Sequence, residues 1–130
     1  NGVVSLDEQR KIQKINSAAE RILGRTNAEV EGSGLATVLG PRNPWVLEAV
    51  DHVEKTNKPR QIADNTLNSE AAGGIAVNLS VAPLLDIEKK KNGFLESILP
   101  RNLINQIHLL KEYGWKMIPI LNFEMPSYLF

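Results

Sequence analysis

The stretch Ile12-Gln13-Lys14-Ile15-Asn16-Ser17-Ala18-Ala19-Glu20-Arg21-Ile22-Leu23-Gly24 changes its hydrophobic period half-way along. Over Lys11–Ile15 polar and apolar residues alternate, the period of a half-exposed strand. Beyond Asn16 the apolar residues Ala18, Ala19, Ile22 and Leu23 fall on one face of a helix. Ser17 is expected to cap that helix, with Glu20 three residues on completing a capping box. Gly24 should end it, because a left-handed terminal residue carries no steric cost in glycine. Asn16 stands at the junction, and its simplest task is to close the strand and open the helix.

Working outward, Gly2-Val3-Val4-Ser5-Leu6 reads as a strand that turns at Asp7-Glu8-Gln9 to form a hairpin with residues 11–15. Downstream, residues 27–30 and 35–39 are two short helical pieces, punctuated by Gly32, Gly34 and Gly40-Pro41. A longer helix is expected from Pro44 to Thr56, capped by Asn43, with Pro44 at the favoured first position. Its buried stripe is Val46, Val50 and Val53, with Ala49 beside it. The strand period returns over residues 60–67. It is cleanest over 74–84, where Ile75, Val77, Leu79 and Val81 share one face. A last strand is expected over 92–98, opening with Gly93-Phe94-Leu95. Two strands, a cluster of helices and three strands predict the α+β class: a five-stranded antiparallel sheet with helices on one face. After it, Arg101–Tyr113 has the spacing of an amphipathic helix. Trp115–Phe130 is apolar and aromatic, interrupted by Pro119 and Pro126.

The totals narrow the function classes. A chain of 130 residues, 42% hydrophobic and 23% charged, suits one globular domain. It has no cysteine, which removes disulfides, thiolate nucleophiles and cysteine-ligated metals. Fifteen basic and fifteen acidic residues balance, so a nucleic-acid or anionic-membrane partner lacks the basic excess it calls for. The longest uncharged stretch, Ala71–Leu85, is too short and too polar at Asn78, Ser80 and Pro83 to span a bilayer. No signal peptide opens the chain, so the cytoplasm is the expected location.

Asn1-Gly2-Val3-Val4-Ser5-Leu6-Asp7, the stretch from Ile12 to Gly24, and Glu29-Val30-Glu31-Gly32 follow one another in the order and spacing of the PAS family, which this chain resembles. Val77-Asn78-Leu79-Ser80-Val81-Ala82-Pro83-Leu84 is similar to the family's penultimate strand. The likeness covers roughly residues 1–95, which sets a PAS sensor domain at 1–99 and leaves 100–130 as a C-terminal helix and tail of unclear role. Leu39-Gly40-Pro41-Arg42-Asn43-Pro44-Trp45 looks most like members placed ahead of nucleotide cyclases; similar members precede histidine kinases. The usual closing strand, with its Asp-Ile or Asp-Val pair, is replaced here by Glu96-Ser97-Ile98-Leu99-Pro100.

The resemblance implies a PAS regulatory domain of a bacterial signal-transduction protein, sensing a small ligand or a partner and relaying the signal to an effector, a cyclase or a kinase. The alternative is a PAS-fold dimerisation or protein-interaction module with no small ligand. A pocket between helices and sheet would be lined by Leu35, Trp45, Val46, Val50, Asn78 and Ser80. Asn78 and Ser80 share one sheet face. If it faces the helices they are pocket donors and acceptors; if it faces outward they are solvated or meet a partner. His52 falls off the helix stripe and reads as a solvated or edge histidine, and His108 earns no role. Two distant histidines without cysteine give no metal site, and no cofactor is expected. Gly32-Ser33-Gly34 and Gly73-Gly74 lack the context of a phosphate loop and are turns. No nucleophile–base or paired-acid constellation supports an enzyme. A homodimer is expected through the outer sheet face and the apolar tail, because neither has a partner within a single PAS core; the alternative is a tail folded back over the open face of its own sheet.

Overall fold

Val4 sits opposite Ile15 on one side and Leu121 on the other, so the strand that opens the chain lies inside a sheet and not at its edge. The structure is a computed structural model that describes residues 1–69, 73–85 and 117–126. Its strands are β1 (Gly2–Leu6), β2 (Ile12–Ile15), β3 (Arg60–Ser69), β4 (Gly73–Leu85) and β5 (Met117–Glu124). They form one five-stranded sheet in the order β2-β1-β5-β4-β3, with every neighbouring pair antiparallel. The helices are α1 (Ser17–Leu23), α2 (Asn27–Val30), α3 (Leu35–Val38) and α4 (Pro44–Thr56). The α+β architecture is as the sequence predicts.

The fifth strand corrects the sequence reading. The strand expected at 92–98 lies outside the described residues, and the place between β1 and β4 is filled by residues 117–124. The segment set apart after residue 99 thus supplies the central strand. Its Leu121 and Phe123 are fully buried, so part of the apolar surplus that argued for a dimer is satisfied within the chain. The helix expected at 101–113 also lies outside the described residues.

The core lies between the helices and one face of the sheet. Val4 and Leu6 from β1, Val77, Leu79 and Val81 from β4, and Leu121 and Phe123 from β5 meet Ala19, Val46, Val50 and Val53 from the helices. Burying side chains of this size contributes on the order of 1.5–3 kcal/mol each.

Local caps differ from expectation at α4, where Asn43 makes no side-chain cap bond, and at α1. Asn16, not Ser17, caps α1: its Oδ1 accepts from Ala19 N at 2.9 Å and also from Val3 N at 2.9 Å. One amide therefore ends β2, starts α1 and ties both to β1. Glu20 makes no capping box; its carboxylate accepts from Asn27 N at 2.7 Å, while Asn27 Oδ1 accepts from Ile15 N at 2.7 Å. The capping pair sits one helix later, where Thr26 Oγ1 accepts from Glu29 N and donates to the Glu29 carboxylate. Gly24 ends α1 in the left-handed region at φ 67°, as expected.

Candidate functional site

The structure places the six residues expected to line an interior pocket in two settings, the core and the outer sheet face. Leu35, Val46 and Val50 are fully buried core. Trp45 packs against that core and donates Nε1 to the Thr66 carbonyl at 3.1 Å. Asn78 and Ser80 alternate with buried Val77, Leu79 and Val81 and so stand on the outer face, which settles the alternative that alternation left open. Asn78 Oδ1 accepts from Asp64 N at 2.8 Å, bracing the irregular part of β3 where Asp64 adopts a positive φ of 55°. Ser80 lies opposite Asn122 of β5. His52 is half-buried on α4, beside the buried stripe. His108 lies outside the described residues. Among the described residues no group of three metal-ligating side chains occurs.

A separate cleft lies where β1 begins, β5 ends and α1 packs across both. Its volume is about 550 Å3, within the range of small-molecule sites. Gly2 makes this corner possible. A Cβ there would stand 2.8 Å from Ile22 Cδ1 and 3.1 Å from Ala19 Cα, so only glycine lets the helix approach this closely. Ala18, Arg21 and Ile22 line one wall, at the i, i+3, i+4 spacing that puts them on one helix face. Phe123, Glu124 and Met125 line the other, and Asn78 reaches it from β4, where its partner across the ladder is Glu124. Of the six residues expected to line a pocket only Asn78 belongs to this cleft. Arg21 and Glu124 are remote in sequence and share no motif, so nothing in the pattern joins them.

At the opposite end of the sheet, Arg10 bridges the β1–β2 turn to α4. Its Nε meets Glu54 at 2.9 Å and its Nη2 meets Asp51 at 3.0 Å, while Lys55 also meets Asp51 at 2.8 Å. Lys55 and then Arg10 hold the Asp51 carboxyl below its ordinary range. The contact to Glu54 holds the Arg10 guanidinium above its own. The arrangement is a clamp between two elements and has no free acid or base to offer chemistry.

A sheet in the order β2-β1-β5-β4-β3 with four helices on one face coincides with a family match over residues 1–98, described as the PAS fold. The chain belongs to the PAS family. PAS domains are regulatory modules and not catalysts. No curated protein matches the sequence. Among solved structures, a domain of an HTR-like protein from Haloarcula marismortui is similar at 15% identity and TM-score 0.59, over 95% of this chain and 94% of that one. The PAS domain of Bordetella pertussis BvgS is similar at 15% identity and TM-score 0.59, over 98% and 77%. The PAS domain of nitrogen regulation protein NR(II) from Vibrio parahaemolyticus follows at 10% identity and TM-score 0.56, over 96% and 88%. At these identities the likeness is one of fold, and it gives no support to the finer resemblance to cyclase-linked members. The family match ends at residue 98, so β5 lies beyond it. No helix among the described residues is long and apolar enough to cross a membrane.

Proposed function

We propose that this PAS domain is a cytoplasmic regulatory module that senses a small ligand in the α1 cleft and relays the change to an effector domain, a kinase or a cyclase, without catalysis of its own. The cleft of about 550 Å3 carries the reading. The interior between helices and sheet is filled by Leu35, Val46, Val50, Leu79 and Leu121, each no more than 1% exposed, which favours this corner over the core as a ligand site. One wall is α1 and the other is the end of β5, the strand joining the two halves of the sheet. A ligand that binds better to one α1–β5 packing than to another shifts the population between them, and the sheet carries the difference. The test is a titration of the labelled chain with a small-molecule library, followed by amide NMR. Shifts clustered at Ala18, Ile22, Asn78 and Met125 are expected. Binding elsewhere, or none, overturns the reading.

A second reading, a PAS-fold dimerisation module without a small ligand, is favoured by the outer sheet face. Leu84 is 48% exposed there. A second copy would cover it. Sedimentation at micromolar protein decides it: a dimer mass supports the homodimer, and a monomer mass removes it.

A further inference from the structure

We infer that the α1 cleft recognises a small zwitterion, a free amino acid with an apolar side chain, its carboxylate held by Arg21 and its ammonium by Glu124. The inference rests on the cleft being the sensing site. Arg21 and Glu124 line the same cavity from different elements, α1 and the end of β5. Neither side chain makes an ion pair or hydrogen bond with another described residue, and in particular the two do not pair with each other. Two opposite charges on one cavity without a bridge between them leave the space that a ligand carrying both charges would fill. The clamp at the other end of the sheet shows the contrast, since Arg10 pairs with Asp51 and Glu54, and Lys55 pairs with Asp51.

The rest of the lining agrees with that ligand. Ala18, Ile22 and Met125 offer apolar surface for a side chain. The Asn78 amide uses its Oδ1 on Asp64 N, which leaves Nδ2 as a donor beside Glu124. A carboxylate on a guanidinium and an ammonium on a carboxylate are both charge-assisted contacts, stronger than neutral hydrogen bonds. A purely apolar ligand would leave both charges unused, and a simple anion or cation would satisfy one and meet repulsion from the other.

The test uses the whole chain and the twenty free L-amino acids, screened singly by thermal shift, with isothermal titration of the best binder. Its matched amine, lacking the carboxylate, and its matched acid, lacking the ammonium, are titrated beside it. An amino acid with an apolar side chain is expected to bind best, and each truncated analogue to bind about tenfold more weakly. In Arg21→Gln the amino acid should bind no better than the amine, and in Glu124→Gln no better than the acid. Equal binding of the amino acid and its analogues, with amide shifts still at Ile22 and Met125, overturns zwitterion recognition and leaves the cleft as a ligand site. Absence of binding by any amino acid overturns it as well. If the small-molecule library also leaves the cleft resonances unmoved, the sensing role falls with it.

Discussion

Asn43 and Asn68 hold each other through two hydrogen bonds across 25 positions of sequence: Asn43 Nδ2 donates to the Asn68 carbonyl at 2.8 Å, and Asn68 N donates to Asn43 Oδ1 at 2.7 Å. A primary amide presents one donor and one acceptor in a plane, as a peptide group does. Asn43 thus acts as one further rung on β3, whose far side has no strand neighbour among the described residues. Trp45 adds a bond to the Thr66 carbonyl two residues away. The edge of the sheet is covered by the start of α4, which protects it from pairing with another chain.

Asn43 is 1% exposed, so its removal strands groups that water cannot reach. Asn43→Ala leaves the Asn68 N–H and carbonyl without their partner, at a cost of about 1–3 kcal/mol. Asn43→Asp keeps the acceptor and loses the donor, and it buries a charge beside two carbonyls. Chemical denaturation should show both variants destabilised, with Asn43→Asp recovering part of its loss as the pH falls toward the carboxyl range.

The approach of α1 to β1 gives a second expectation. Gly2→Ala places a methyl 2.8 Å from Ile22 Cδ1 and 3.1 Å from the Ala19 backbone, so the helix must move. Overpacking of this kind costs about 1–3 kcal/mol. Ile22→Val deletes the atom nearest the clash. The double variant should therefore lose less than the two single losses added together, as read from denaturation midpoints.

How much of this was legible in the sequence follows from how cleanly each residue pattern signals one environment. The alternation Ile75, Val77, Leu79, Val81 marks β4 because one face is core and the other carries Asn78 and Ser80. β5 has no such contrast. Its outer residues Ile118 and Ile120 are as apolar as its core residues Leu121 and Phe123, so the period of two is blurred, as in strands flanked on both sides. Pro119 also argues against a central strand. The structure places it opposite Pro83, so the two missing donors fall on one rung of the β4–β5 ladder. The cleft was less legible still. Asn78 stood out through its alternation, but Arg21 and Glu124 meet only because β5 lies beside β1, a pairing between the two ends of the chain.

Asn122 yields a prediction of opposite sign. It lies on the outer face between Val3 and Ser80, and its Oδ1 is buried with no partner. A buried acceptor without a donor carries its desolvation penalty uncompensated. Asn122→Val removes it and adds a β-branched residue suited to a strand. The variant should be more stable by about 1 kcal/mol in denaturation of the monomer. If sedimentation instead shows that wild type dimerises and Asn122→Val does not, the amide serves the contact between copies.

The Arg10 clamp makes stability depend on acid in a defined direction. Asp51 has its carboxyl below the ordinary value of 3.8 in the folded chain because Lys55 and Arg10 favour its charged form. A group depressed in this way adds stability above the pKa of the unfolded chain and loses it as the pH falls through the folded value. Arg10 is shifted upward, so its share is complete across the neutral and acid range and fades only in strong alkali. The contribution of Asp51 should therefore be present at neutral pH and begin to fade below about pH 4. Both partners are partly exposed, with Arg10 34% and Asp51 42% open to solvent, so the contribution is modest and salt weakens it. Denaturation of wild type and Asp51→Asn between pH 7 and pH 3 checks the sign. The two curves should stand apart at pH 7 and converge in acid, and a gap that widens as the pH falls would show that the carboxylate is not stabilised by the clamp.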